Sequence, residues 1–127
     1  MDQLRGALRW QEITQASGAG GDTFLNVRPP DGEVWDIYAI SATHDDAART
    51  IDWMTNDVDT GSYGSLYNEA AVTARRYWGP NCGIYQPVRI HYKCYIMYKV
   101  TAMAAAKTIT GEVLYERIVG WPTDLGK

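Results

Sequence analysis

At 127 residues and 46% hydrophobic, the chain is long enough to bury a core as one domain without disulfide staples, and its composition is not that of a disordered chain. A net charge of −3 leaves no basic footprint, so no nucleic acid is expected as a partner. No apolar run approaches the ~20 residues that span a bilayer, so no membrane is expected either.

The N-terminus, MDQLRGALRWQE, lacks the apolar core and small-residue cleavage site of a signal peptide, and synthesis in a cytoplasm is expected. Residues 1–7 read as a mobile arm or a short helical turn. Leu8–Thr14 places Leu8 and Trp10 on one side of an extended chain and Ile13 on the other, a first strand or a short amphipathic helix. The Gly-Ala-Ser run at 16–21 is a flexible connection. Thr23–Arg28 is a strand that stops at Pro29-Pro30, which cannot donate ladder hydrogen bonds, and Asp31-Gly32 supplies a turn.

Residues 33–56 read as a hairpin with two of the five tryptophans. On its first strand Trp35, Ile37 and Ala39 share one face and Val34, Tyr38 and Ile40 the other. Apolar residues on both faces suggest a strand buried on both sides. The second strand alternates cleanly, Ile51 and Trp53 against Thr50 and Asp52, as a half-buried antiparallel strand does. The turn between them is His44-Asp45-Asp46-Ala47-Ala48. Trp35 and Trp53 are expected at the centre of the core.

Residues 57–83 mix Gly, Asp, Ser and Asn with Tyr63, Leu66 and Tyr67. Ala70–Trp78 fits a short helix or a strand, and Gly79–Gly83 is a break. Pro87–Met103 is too long for one ordinary strand, so a bulge, a bend or a turn near Lys99 is expected to divide it. Ala104-Ala105-Ala106 is a tight connection, Glu112–Val119 a closing strand, and about 120–127 an irregular tail. About seven to nine short strands with regular turn signals make this an all-β chain, an antiparallel β-sandwich or barrel in a single domain spanning 1–127.

Chemistry is sparse. His44 beside Asp45 and Asp46 resembles a metal cluster, but no His-x-His or Cys-x-x-Cys spacing accompanies it, so no metal or other cofactor is expected and the turn reads as solvent-facing or subunit-facing. Cys94 lies three residues from His91, and because odd and even strand positions face opposite ways the two are expected to point apart. Cys82 sits in the Gly-Pro break. The two cysteines read as free thiols in a reducing compartment rather than as a disulfide. No Gly-x-Ser-x-Gly elbow or phosphate loop is present, and the carboxylates Asp36, Asp52, Glu112 and Glu116 form no diagnostic pair, so no catalytic residue is assigned and the protein is not expected to be an enzyme. Nine Tyr and five Trp against one Phe suit half-buried sheet faces and interfaces, and β-propensity alone accounts for them equally well. Candidate subunit-contact residues are Arg5, Arg9, Trp10, Arg75, Arg76, Tyr77, Trp78 and Trp121, the Trp/Tyr/Arg set from which interfaces draw their anchors.

The Gly-rich connection, the strand closed by prolines, Pro30-Asp-Gly-Glu-Val-Trp-Asp-Ile37, and the closing Gly111-Glu-Val-Leu-Tyr-Glu-Arg-Ile118 resemble the small jelly-roll proteins that decorate bacteriophage heads. The resemblance covers about residues 20–56 and 87–118. It implies jelly-roll topology, a homotrimer that cements the major capsid protein on the capsid surface of the virion, and no catalytic residues. A carbohydrate-binding β-sandwich is the alternative. A planar row of Tyr63, Tyr67 and Trp78 beside a groove would favour it, whereas burial of Trp10 and Trp121 between identical chains would favour a virion protein.

Overall fold

A computed structural model describes residues 5–78 and 87–118, apart from the side chains of residues 5–7 and 62. Nine strands account for most of them: β1 (Arg5–Ala16), β2 (Gly21–Val27), β3 (Val34–His44), β4 (Arg49–Asp57), β5 (Ser62–Val72), β6 (Arg76–Trp78), β7 (Val88–His91), β8 (Cys94–Met103) and β9 (Thr108–Ile118). Residues 5–7, expected to belong to an arm, are part of β1, held by pairing of Arg5 with Ile118. The helix considered for 70–78 is instead the end of β5 and all of β6.

Every ladder is antiparallel. One layer runs β1-β9-β3, with β6 and β7 both beside β3, and the other runs β2-β8-β4-β5. Among the described residues the strand ladders of the two layers join only at the pair His91–Cys94. Because β6 and β7 share a lane, the nine strands fill eight lanes in the order of a jelly roll, so the fold is an antiparallel β-sandwich of that topology. One apolar cluster lies between the layers, with Trp35, Ile37, Val113 and Tyr115 from the first and Leu25, Ile51, Trp53 and Tyr98 from the second. Trp35 stacks on Tyr115 at 4.0 Å between ring centroids, and Trp53 tilts against Tyr98 at 4.7 Å.

The stretch 33–56 is not a hairpin. β3 pairs with β9, β6 and β7, whereas β4 pairs with β5 and β8, so residues 45–48 carry the chain from one layer to the other. Each strand aims its tryptophan at the same core from opposite sides. The long run 87–103 is divided at Tyr92-Lys93 rather than near Lys99. That two-residue turn sets His91 directly opposite Cys94 across the β7–β8 pair, on one face instead of pointing apart.

The polar connection after β3 is exposed at Asp45, Ala47 and Ala48, as expected, and is also a clasp anchored by His44 and Asp46. His44 is buried, and its Nδ1 accepts from the Asp46 backbone N–H at 3.2 Å, which puts the ring proton on Nε2, donated to the Val72 carbonyl at 2.8 Å. Asp45 exchanges bonds with Thr108, its N–H donating to the carbonyl and its Oδ1 accepting from the N–H. Asp46 accepts from the N–H groups of Ala104 and Ala47, both at 2.8 Å, and from Arg49 Nε at 2.9 Å. The Ala104 N–H, with help from Arg49, holds the Asp46 carboxyl well below the usual carboxylate range. A carboxylate whose pKa is depressed by folding stabilises the native state above its unfolded pKa and loses that contribution as pH falls through the folded value. The unfolding midpoint is therefore expected to drop as pH is lowered below about 5, and Asp46→Asn to flatten that slope in thermal melts across the acid range.

Candidate functional site

In an antiparallel pair, residues directly opposite each other share a face. On the outer face of the first layer, Trp10 of β1 lies opposite Leu114 of β9, which lies opposite Ala39 of β3. Leu8 lies opposite Glu116 and Glu12 opposite Glu112, while Ser41 continues the second of these rows to Tyr77 on β6. Leu8 is 57% exposed, Trp10 61% and Tyr77 58%, so large apolar side chains stand out from one sheet face. β1 pairs only with β9 among the described residues, which leaves its other edge open. Ile13, on the opposite side of β1, packs against the core as the alternation of that strand requires.

The structure divides the predicted interface residues. Trp10 and Tyr77 lie on this common face, and Arg9 is exposed on the other side of β1. Arg75 lies along β3, its Nη1 donating to Ser41 Oγ at 2.8 Å. Arg76 reaches from the first layer to Glu69 on β5 of the second with two bonds of 2.8 Å, closing one side of the sandwich. Trp78 packs against the core. The side chain of Arg5, and Trp121 and Cys82 altogether, lie outside the described residues.

A polar network lies on the same face in the row of Leu8, which continues through Glu116 and Asp36 to Arg89. Asp36 is buried and takes a two-pronged bond from Arg89, at 2.7 and 3.0 Å, and Tyr38 Oη donates to Glu116 Oε1 at 3.0 Å. Sequence alternation alone gave no sign of these contacts, because they join strands far apart in the chain.

Chemistry is no richer in three dimensions. Among the described residues no group of three or more His, Cys, Asp or Glu could hold a metal ion. Cys94 is a free thiol, and burial, with Asp57 nearby, pushes its pKa up, the opposite of an activated nucleophile. His91 Nδ1 is turned to the Lys93 backbone N–H at 3.2 Å. The row of Tyr63, Tyr67 and Trp78 does not form: Trp78 belongs to the first layer and faces inward, while Tyr63 and Tyr67 are on β5 of the second.

No family model matches the chain, and no curated protein matches it. Solved structures that it is similar to include the SPBc2 prophage-derived protein YomS, at 13% identity over 85% of this chain and 95% of that one, TM-score 0.49. Another is a variant of a family 29 carbohydrate-binding module complexed with mannohexaose, at 8% identity over 91% and 79%, TM-score 0.40. A third is the virus-like particle of the extra small virus of the giant freshwater prawn Macrobrachium rosenbergii, at 15% identity over 91% and 80%, TM-score 0.36. Likenesses this distant assign neither a family nor a function.

Proposed function

We propose that the protein is a non-enzymatic structural virion protein, a decoration protein that binds copies of itself and a phage capsid through sheet-face contacts. The observation that carries this reading is the outer face of β1, where Leu8 and Trp10 are more than half exposed beside Leu114 on an open-edged strand. A free monomer gains nothing by holding a tryptophan in water, and exposed Trp with a neighbouring Leu is the composition of an interface centre. Glu12 directly opposite Glu112 on the same face points the same way, because paired like charges cost energy in the isolated sheet and are relieved by a basic partner. The jelly-roll order of the lanes agrees with the resemblance found in the sequence.

Light scattering on the purified protein is expected to give a trimer. Trp10→Ala is expected to raise the dissociation constant of that trimer by roughly 30-fold or more, the effect of losing a hot-spot tryptophan. Circular dichroism of the variant should match the parent, since the side chain contributes little to the monomer's core. A monomer at all accessible concentrations that also fails to sediment with phage heads overturns the reading.

A further inference from the structure

The opposite face of the sandwich holds a second feature, independent of the β1 surface. Across the outer side of the second layer, Asn26, Met97 and Met54 form one row, and Tyr95, Asn56 and Tyr63 another. Central strands β8 and β4 supply a deep floor, with Met97 4% exposed, Tyr95 5% and Asn56 8%. Edge strands β2 and β5 supply the walls, Phe24 and Asn26 on one side and Tyr63, 64% exposed, on the other. The trough is an open depression of about 210 Å³, smaller than the ~300–1,000 Å³ of pockets for drug-sized ligands.

Hydrogen-bonding capacity remains open on that floor. The Asn56 side chain makes one bond, Nδ2 donating to Tyr95 Oη at 2.8 Å. Its carbonyl oxygen and second N–H, and the Tyr95 hydroxyl proton, have no partner among the described residues. Turning the amide over exchanges which groups are free without closing the set. Such groups on the floor of an open trough are met by water or by a ligand that both donates and accepts.

All six lining side chains are uncharged, and the flanking cations Arg28 and Lys99 lie over two of their rings, those of Tyr95 and Phe24. Arg28 donates to the Tyr92 carbonyl at 2.7 Å and lies over the Tyr92 ring at 3.9 Å and the Tyr95 ring at 4.5 Å. Lys99 pairs with Asp22 at 3.6 Å, and Asp52 accepts from Ser65 Oγ at 2.6 Å. No charged side chain lines the trough, and the cations at its rim already have partners, Arg28 in the Tyr92 carbonyl and Lys99 in Asp22, so an ionic ligand gains little there. A pyranose ring has one apolar C–H face suited to an aromatic ring such as Tyr63, and a rim of hydroxyls that both donate and accept, suited to amides such as Asn26 and Asn56. The geometry points to this trough as a binding site for one ring of a neutral saccharide.

Isothermal titration with soluble β-1,4-glucan, β-1,4-mannan and α-1,6-glucan oligosaccharides tests it, with heparin as the anionic comparison. Saturable binding of at least one neutral glycan is expected. Tyr63→Ala and Asn26→Ala, both changes at exposed positions of edge strands, should each weaken it by about tenfold, the loss of one well-placed contact, whereas Trp10→Ala on the opposite face should not. No saturable binding of any neutral glycan at millimolar concentration overturns the assignment. So does binding of heparin alone, or binding that survives both trough substitutions. None of these results bears on the β1 surface, whose test is self-association.

Discussion

Trp53→Ala is expected to remove about 3–5 kcal/mol of folding stability, the range for truncating a fully buried aromatic. Trp53 is 1% exposed, near the middle of β4, with Tyr98 of β8 opposite it on one side and Tyr67 of β5 on the other. The indole buries roughly 150–250 Å², which at ~25 cal/mol per Å² gives about 4–6 kcal/mol of transfer energy. The two estimates agree, and either is a large share of the ~5–15 kcal/mol that holds a domain together. Thermal melts should show the midpoint falling by about 10–20 °C for a chain of this length. Tyr67→Ala is the internal comparison. It flanks Trp53 on the same row but is 52% exposed, and it should cost less than about 1 kcal/mol. If the two variants melt together, the sandwich core is not centred on β4.

Trp53 was legible in the sequence because β4 alternates cleanly, and the alternation survives in the structure. β3 was harder, for a specific reason. Its ladder to β9 pairs Ile37 with Tyr115 and then Ala39 with Leu114, so Tyr38 is an extra residue, a bulge. The inward set is therefore Trp35 and Ile37 before it and Ile40 and Ala42 after it, whereas strict alternation puts Ala39 with Trp35 and Ile40 on the far side. The two-faced apolar pattern came largely from this phase change. It did not mark a strand with apolar layers on both sides: the outer face of β3 is buried under polar contacts, Arg89 on Asp36 and Arg75 on Ser41.

Pairing was less legible than face. Periodicity shows that β3 and β4 each have a core side, but not whether those sides belong to one sheet or to two sheets facing each other. The four residues between them fit a hairpin loop as well as an arch, and the distinction rests on bonds made to Val72, Ala104 and Thr108, each far away in sequence. The same holds for the candidate surfaces. Trp10 was identifiable from its residue type and its place on β1. The trough was only half visible, through Tyr63, because its floor joins Asn56 to Tyr95 across 39 residues.

Gly111→Val tests the closest approach of the two layers. Gly111 is a buried residue of β9 whose side points at the facing layer, and a β-carbon built there would lie 2.5 Å from Leu25 Cδ2 on β2 and 3.0 Å from the Ser41 carbonyl oxygen. The backbone oxygen cannot retreat without breaking the β3–β9 ladder. Leu25 is 1% exposed, with core atoms on every side, so its methyl has no free volume to enter. Overpacking of this kind costs about 1–3 kcal/mol, and more where backbone is involved. Valine brings two further methyls, so its cost is expected at or above the top of that range, against a smaller loss for Gly111→Ala. Gly111→Ala combined with Leu25→Ala offers the discriminating measurement. If the clash with Leu25 is what matters, the double variant should be more stable than the sum of the two single losses predicts, giving a coupling energy of about 1 kcal/mol or more in a double-mutant cycle. Additivity of the two losses in denaturant melts would instead place the strain at the Ser41 carbonyl, within the layer rather than between the layers.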